Sequence, residues 1–236
     1  MTELDGLLHV VFGATGAIGG AVVTELVHAG RDVRAVSRGG QAPHGAQGVA
    51  ADASDPVQAA RAAVGASVIY HCASPSYTQW PELFPALTGS ILSAAESSGA
   101  KLVYADNLYA YGPVNGPLRE DLPAAARGRK GRTRVEMAAQ LLAAHRNGLA
   151  RVVIGRASDY YGPRGTGSTA GQTVFGPTFR VMKQRGKLLS SKLAPRVVAT
   201  VHPSSLLRQP DEVSREREYK RFVADLRVAV KAANAE

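Results

Sequence analysis

Three glycines at a regular spacing, Gly13, Gly16 and Gly19, close a short apolar run and open a helical one. Glycines so placed allow a sharp turn, close approach of backbone to a bulky anion, and tight packing of the following helix on the preceding strand. A helix start also offers unpaired N–H groups and partial positive charge, which suit phosphate. Gly13-Ala14-Thr15-Gly16-Ala17-Ile18-Gly19 therefore reads as the pyrophosphate cradle of a dinucleotide. The next apolar run ends at Ser37-Arg38, with Arg34 nearby and no carboxylate. An acid there would hold a free ribose hydroxyl, whereas a cation pairs with a 2′-phosphate. NADP is the expected cofactor, with NAD as the second choice.

Other groups have chemical potential but point less sharply. Arg127, Arg129, Lys130, Arg132 and Arg134 crowd into eight residues. They read either as a recognition site for an anionic substrate or as a solvated loop and helix start. Cys72 is the single cysteine. That excludes an internal disulfide framework and any four-thiolate zinc or iron–sulfur centre, and no metal is expected.

Strands and helices alternate around these groups. Leu7–Phe12, Asp32–Ser37, Gln47–Ala51, Ser67–His71, Lys101–Ala105 and Arg151–Gly155 are short runs rich in branched residues, the pattern of buried strands. Gly19–Ala29, Pro56–Val64, Trp80–Ser98 and Arg134–Asn147 carry helical spacing, three of them closed by Gly30, Gly99 and Gly148. Such alternation implies right-handed βαβ units and a Rossmann-like, doubly wound parallel α/β sheet.

Phe12–Gly19, Ala51-Asp52-Ala53-Ser54-Asp55, His71-Cys72-Ala73-Ser74-Pro75 and Tyr111-Gly112-Pro113 together resemble the extended and atypical short-chain dehydrogenase/reductases, the NAD-dependent epimerase/dehydratase group. Gly155-Arg156-Ala157-Ser158-Asp159-Tyr160-Tyr161-Gly162-Pro163 resembles the family segment that follows the sixth strand and lines the nicotinamide and substrate pocket. The resemblance runs over residues 5–175. It implies that Asp52 and Ala53 contact the adenine, that Cys72, Ala73 and Ser74 run along the cofactor, and that Arg156 and Ser158 face the pocket. Active members of the family use a Ser after the fifth strand, then Tyr-x-x-x-Lys, with a Glu four residues beyond the Lys in many epimerase-like members. Here the Ser position falls at Asp106-Asn107. Counting back from Glu136, the Tyr and Lys positions fall at Gly128 and Arg132. Glycine has no acid and arginine does not readily deprotonate, so the usual set is lost. Tyr109 and Tyr111 are the nearby phenols, and Tyr111 belongs to the family's structural turn. Asp106, Asn107 and Tyr109 are the candidates for any surviving catalysis.

Charge sets the end of the chain apart. Residues 1–175 carry 15 Lys/Arg against 13 Asp/Glu, and residues 176–236 carry 13 against 6. Lys187–Ser190 and Arg196–Val201 read as strands and Glu212–Ala233 as a long helix, a small α/β segment. The intervening His202-Pro203-Ser204-Ser205-Leu206-Leu207-Arg208 resembles the C-terminal loop of bacterial uracil-DNA glycosylases of the thermophile-type and iron–sulfur branches. The resemblance implies that Leu206, Leu207 and Arg208 wedge into DNA, that His202 stabilises departing uracil, and that Ser204 and Ser205 meet phosphate. The family's acidic water-positioning motif and cluster cysteines are absent. Two domains are expected, a dinucleotide-binding one over 1–175 and a glycosylase-like fragment over 176–236.

Composition narrows the rest. Hydrophobic residues make up 45% and charged residues 20%, which excludes wholesale disorder. No apolar run reaches the ~18–20 residues of a membrane span, and Met1-Thr2-Glu3-Leu4-Asp5 lacks the basic start of a secretory signal. The expectation is a soluble, cytoplasmic, NAD(P)-binding protein acting on a small molecule, an anionic one on the reading of the basic run as a recognition site. The alternatives are a DNA-binding repair protein, binding weakly through its C-terminal segment, and a non-catalytic dinucleotide sensor.

Overall fold

The computed structural model describes residues 7–157, 181–189, 197–200 and 211–234. The chain divides into two compact units, Met1–Ser158 and Asp159–Glu236, a division upstream of the boundary expected at residue 175.

The first unit is built on β1 (Leu8–Phe12), α1 (Ala17–His28), β2 (Asp32–Ser37), β3 (Gln47–Ala50), α2 (Pro56–Ala62), β4 (Ala66–His71), α3 (Trp80–Ser98), β5 (Lys101–Asn107), α4 (Arg129–Arg146) and β6 (Arg151–Ala157). Its six strands are all parallel, in the order β3-β2-β1-β4-β5-β6. The order reverses between β1 and β4, which makes that crevice, at the carboxyl ends of the strands, the topological switch point. This is the Rossmann-like α/β fold.

Alternation along β1 shows how both faces are filled. Val10 and Phe12 enter the larger core with Ile69, Phe84, Ile91, Leu102, Tyr104 and Leu141, beneath α2, α3 and α4. Val11 turns to the smaller cluster formed with Ala14, Val23, Val33 and Ala35 beside α1. Because helices cover both faces, the central strands are apolar throughout rather than alternating.

Local chemistry marks the helix ends. Asp55 caps α2, its side chain accepting from Val57 N and Gln58 N, with Pro56 at the first helical position. Gly99 ends α3 at φ +69°. Helix α4 begins at Arg129, a turn and more before the expected start at Arg134. The apolar periodicity begins only at Val135, so the basic first turn carried no helical signal.

The described part of the second unit contains α5 (Val181–Gln184), an antiparallel pair of β7 (Leu188–Leu189) and β8 (Val197–Val198), and α6 (Glu212–Asn234). Arg185, nearly enclosed, ties it together through Asp225 at 2.7 Å and Glu218 at 2.8 Å. No helix among the described residues is long and apolar enough to cross a membrane.

Candidate active site

The glycine loop leaves β1 into α1 as expected. Gly13 sits at φ +80°, and the N–H groups of Gly13 and Ala14 both donate to the Val36 carbonyl, at 3.0 and 3.2 Å. The three glycines have different reasons to be glycine. A Cβ on Gly13 would lie 2.6 Å from the Ala73 backbone, and one on Gly19 would lie 2.2 Å from the Gly13 oxygen. Packing within the protein forbids both. A Cβ on Gly16 would approach only the Gly13 oxygen, at 3.3 Å, and its φ of −73° suits any residue. Gly16 is also the N-cap of α1 and has no side chain to cap the first N–H groups. With exposed Thr15 beside it and Ala17 and Ile18 half-buried, the loop leaves an open cradle of helix-start donors. That opening fits the pyrophosphate of a dinucleotide.

The end of β2 sits on the same edge. Ser37 is buried, its hydroxyl donating to the Gln41 carbonyl at 3.2 Å, and Arg38 is exposed immediately after it. Arg34 is elsewhere. Its guanidinium donates to the carbonyls of Ala62 and Val64, each at 2.8 Å, so it caps the C-terminal end of α2 rather than standing by a ribose. Beyond β3, Asp52 accepts from the Ser54 N–H at 2.9 Å and the Ser54 hydroxyl at 2.6 Å, and these bonds hold its carboxyl below the usual range. Ala53 is half-buried beside it.

At the end of β4, the Cys72 N–H extends the sheet by donating to the Phe12 carbonyl at 3.0 Å. Burial pushes the Cys72 thiol up to about 12, so it is no nucleophile at neutral pH. Ala73 is the residue packed under Gly13, and exposed Ser74 donates to the Pro75 carbonyl. One residue earlier, His71 is fully enclosed, with Nε2 3.0 Å from the Thr88 hydroxyl and its ring between Phe84 and Tyr104. Burial first, and the Arg134 charge second, bring its pKa down to about 3.

The β5 end looks different from its sequence reading. The Asp106 carboxylate has no exposure. Arg156 Nε donates to it at 3.0 Å, and Arg134 Nη1 lies 3.5 Å away. Arg134 also donates to the Tyr104 hydroxyl and lies over the rings of Phe84 and Trp80, at 4.2 and 4.4 Å. Arg156 donates a further bond to the Tyr111 hydroxyl at 2.9 Å. Asp106 is thus a buried countercharge to two guanidiniums. Asn107 takes a capping role, its side chain accepting from the Tyr109 N–H at 3.0 Å at the start of a 3-10 turn over Leu108–Tyr111.

Gly128 is the N-cap of α4, and a Cβ there would meet nothing within 4 Å. Arg132 is exposed and donates to the Arg127 carbonyl. The basic run is largely engaged within the protein. Arg129 pairs with Glu82 at 2.8 Å, Lys130 Nζ sits 3.2 Å from the centre of the Tyr77 ring, and Arg134 is buried. Tyr77 comes from a 3-10 turn before α3, and its hydroxyl lies 3.2 Å from that of Tyr109. The sequence reading missed Tyr77. Its only signal was a phenol just beyond the His71–Pro75 segment, at the correct end of the sheet. Ser158 and the loop residues His202, Ser204, Ser205, Leu206, Leu207 and Arg208 lie outside the described residues.

A model of the NAD dependent epimerase/dehydratase family matches residues 9–198. The match runs through the junction expected near residue 175, and the glycosylase resemblance finds no support in these comparisons. Among solved structures, MoeE5 in complex with UDP-glucose and NAD is 29% identical, with a TM-score of 0.58 over 67% of this chain and 56% of that one. A short-chain dehydrogenase/reductase superfamily protein from Agrobacterium tumefaciens with bound NAD is 26% identical, with a TM-score of 0.56 over 63% and 48%. UDP-glucuronic acid 4-epimerase from Bacillus cereus in complex with NAD, 20% identical, shares the fold with a TM-score of 0.58 over 67% and 58%. The chain spans little more than half the length of the first of these. A search of curated proteins finds no match.

Proposed function

The chain belongs to the NAD dependent epimerase/dehydratase family, and from that premise we propose that it binds a nicotinamide dinucleotide, NADP in preference to NAD, and oxidises a hydroxyl of a nucleotide sugar or reduces the corresponding carbonyl. The observation that carries the reading is Gly16. A side chain there would press only on the Gly13 carbonyl oxygen, at 3.3 Å, far less than the overlaps at Gly13 and Gly19, and a pyrophosphate would meet the α1 donors on that open side. Asp52 and Ala53 would border the adenine, and Arg38 would pair with a 2′-phosphate. Ser37 positions that turn, because its buried hydroxyl ties β2 to Gln41. Ala73 and Ser74 would follow the cofactor toward the β5 edge. When bound, the nicotinamide supplies an acceptor or donor of hydride. The neighbour MoeE5 holds UDP-glucose or UDP-glucuronic acid together with NAD, which supports a nucleotide sugar as the substrate class.

Calorimetric titration tests the cofactor reading. Wild type should bind NADP more tightly than NAD. Gly16→Val should abolish binding of both while costing about 1–2 kcal/mol, less than a substitution at Gly13, since the new Cβ presses only on the Gly13 carbonyl oxygen at 3.3 Å. Unaltered binding in that variant would remove the basis for the site. A non-catalytic sensor would share the same cofactor behaviour and part from this reading only in failing to turn over a nucleotide sugar. The loss of phenol and ammonium at Gly128 and Arg132 is what favours that second reading. The DNA-repair alternative rests on the His202–Arg208 loop and the basic C-terminal charge, and carries no part of this proposal.

A further inference from the structure

Two phenols and an ammonium meet beyond the β5 end, from three separate elements. Tyr109 stands on the turn after β5, half-buried against Trp80 at a ring separation of 5.8 Å. Tyr77 arrives from the turn before α3, with its hydroxyl 3.2 Å from that of Tyr109. Lys130 arrives from the first turn of α4 and places Nζ over the Tyr77 ring, 3.2 Å from its centre. Gly131, next to Lys130, has no room for a side chain. A Cβ there would lie 2.9 Å from the backbone carbonyl oxygen of Tyr109 and 2.6 Å from the Ala126 side chain, so α4 is pressed directly onto the Tyr109 turn.

Position matters as much as contact. Strands lie ~4.8 Å apart, so the end of β5 stands about 10 Å from the end of β1, a distance a bound dinucleotide spans. Among the described residues, the other candidate proton carriers at these strand ends are engaged or enclosed. Asp106 is enclosed by two guanidiniums, Asn107 caps a turn, Cys72 holds its proton, and His71 sits inside the core. Among the described residues of the β5 edge, Tyr109 is the acid that is only half-buried.

We propose that Tyr109, supported by Tyr77 and Lys130, performs the proton transfer that the Gly128 and Arg132 positions have lost. The inference rests on the nicotinamide reading above. In the oxidative direction the substrate O–H bond breaks and its proton passes to the Tyr109 oxygen. Tyr109 gives its own phenolic proton to the Tyr77 oxygen in the same step. Tyr77, 45% exposed, releases its proton to water. The substrate carbon loses hydrogen with both bonding electrons to the oxidised nicotinamide, and a C=O bond forms. Lys130 opposes the negative charge that crosses Tyr77 while the protons are in transit. Tyr109 is the catalytic residue. Tyr77 and Lys130 are positioning residues.

The test uses the full chain with NADP and NAD, UDP-glucose and UDP-glucuronic acid as probes, and tyrosine labelled with carbon-13 at Cζ. Tyr109→Phe keeps the ring against Trp80 and should lower kcat at least ~100-fold, with KM and cofactor Kd within about threefold. Tyr77→Phe and Lys130→Met should each lower kcat about tenfold, and Lys130→Arg should restore most of the loss. Independently of turnover, the Tyr109 Cζ resonance, identified by its absence in Tyr109→Phe, should move in Tyr77→Phe and Lys130→Met. It should return toward its original position in Lys130→Arg. Tyr109→Phe active within threefold of wild type, or a Tyr109 resonance indifferent to Tyr77 and Lys130, would overturn the relay. A wild type that binds cofactor but turns over neither probe would also overturn it, leaving the cofactor site standing. A wild type that binds neither cofactor would overturn both.

Discussion

On the β1–β3 side of the switch point, the strand ends present glycines, small residues and exposed polar groups: Thr15 and Gly16, Arg38, Asp52. On the β4–β6 side the corresponding ends hold buried charge, with Asp106 between Arg134 and Arg156 and a neutral His71 beneath them. The first half keeps an open edge for a ligand. The second has closed an inner edge around an ion network and carries its accessible phenols and ammonium further out, at half-buried Tyr109 and Lys130 and exposed Tyr77. A ligand-binding loop is built from backbone and survives drift of side chains around it. Proton transfer depends on particular side chains, and several elements converging on one edge can supply them from new positions.

The largest effect expected on the first half comes from Gly13. Gly13→Val adds a side chain to a residue at φ +80° and drives it into the Ala73 backbone. A loss of about 3 kcal/mol or more is expected, with cofactor binding lost along with the fold. Chemical denaturation set beside Gly16→Val separates the two glycines. If both variants were equally stable, the contrast between a packing glycine and a ligand-facing glycine would fail.

In the second half the matching experiment is Asp106→Ala. It leaves two guanidiniums facing each other, one of them enclosed by Trp80, Phe84 and Tyr104. The expected cost is about 3–5 kcal/mol, the usual consequence of stranding a buried charge. Asp106→Asn should recover part of it by keeping an acceptor for Arg156. A loss below about 1 kcal/mol would mean that the network is wet and weakly coupled.

The same halves differ in how much their sequence disclosed. The glycine loop between β1 and α1 and the alternation of strands and helices were legible because each depends on local rules: helix and strand periods, and glycine where the backbone needs it. Arg34 was misplaced because strand alternation says which face a residue takes but not which helix end it will reach. Asp106 and Tyr109 were picked out as neighbours of a lost serine, yet their roles diverge for reasons no spacing reveals. Asp106 is claimed by Arg134, 28 residues away in sequence, and by Arg156, 50 away. Tyr77 stands 32 residues before Tyr109. Long-range pairing of polar groups has no local signature, so the closed edge of the sheet stayed invisible.

His71 sharpens the comparison through pH. Its folded pKa is about 3 against the ordinary imidazole value of 6.5, so the folded state favours the neutral ring. The stability this leaves intact is fully present above pH 6.5 and declines as pH falls from 6.5 toward 3, because only the unfolded chain takes up the proton. At ~1.4 kcal/mol per pH unit, the decline between pH 6.5 and 4.5 should be about 2–3 kcal/mol. His9 is shifted in the same direction, by burial and then by Arg31, so the comparison needs His71→Gln. That variant should flatten the urea midpoint against pH over this range. An unchanged slope would show that the ring is hydrated and that the second half is less closed than its geometry indicates.

The smallest effects come from two arginines of one strand and its turn, and they should behave as opposites. Arg34 donates two bonds of 2.8 Å to carbonyls at the end of α2, where a cation also meets the negative end of the helix. Arg34→Met keeps the aliphatic stem and loses those bonds, so stability should fall by about 1 kcal/mol. Its ratio of NAD to NADP affinity should stay within twofold of wild type, because the side chain is committed to α2. Arg38→Asp should leave stability within about 0.5 kcal/mol, as an exposed substitution outside any helix or strand. It should weaken NADP about tenfold relative to NAD, since a carboxylate would repel a 2′-phosphate and accept from a free ribose hydroxyl. Calorimetry with both cofactors and a urea melt give each variant a cofactor ratio and a stability, four quantities that must cross. Equal loss of both cofactors in Arg38→Asp would make Arg38 a general anchor for the dinucleotide and leave discrimination to the backbone of the Ser37–Gln41 turn. A changed cofactor ratio in Arg34→Met would instead mean that α2 and the ribose site are mechanically linked, so that the open half of the sheet is less independent of its packing than the glycine loop makes it look.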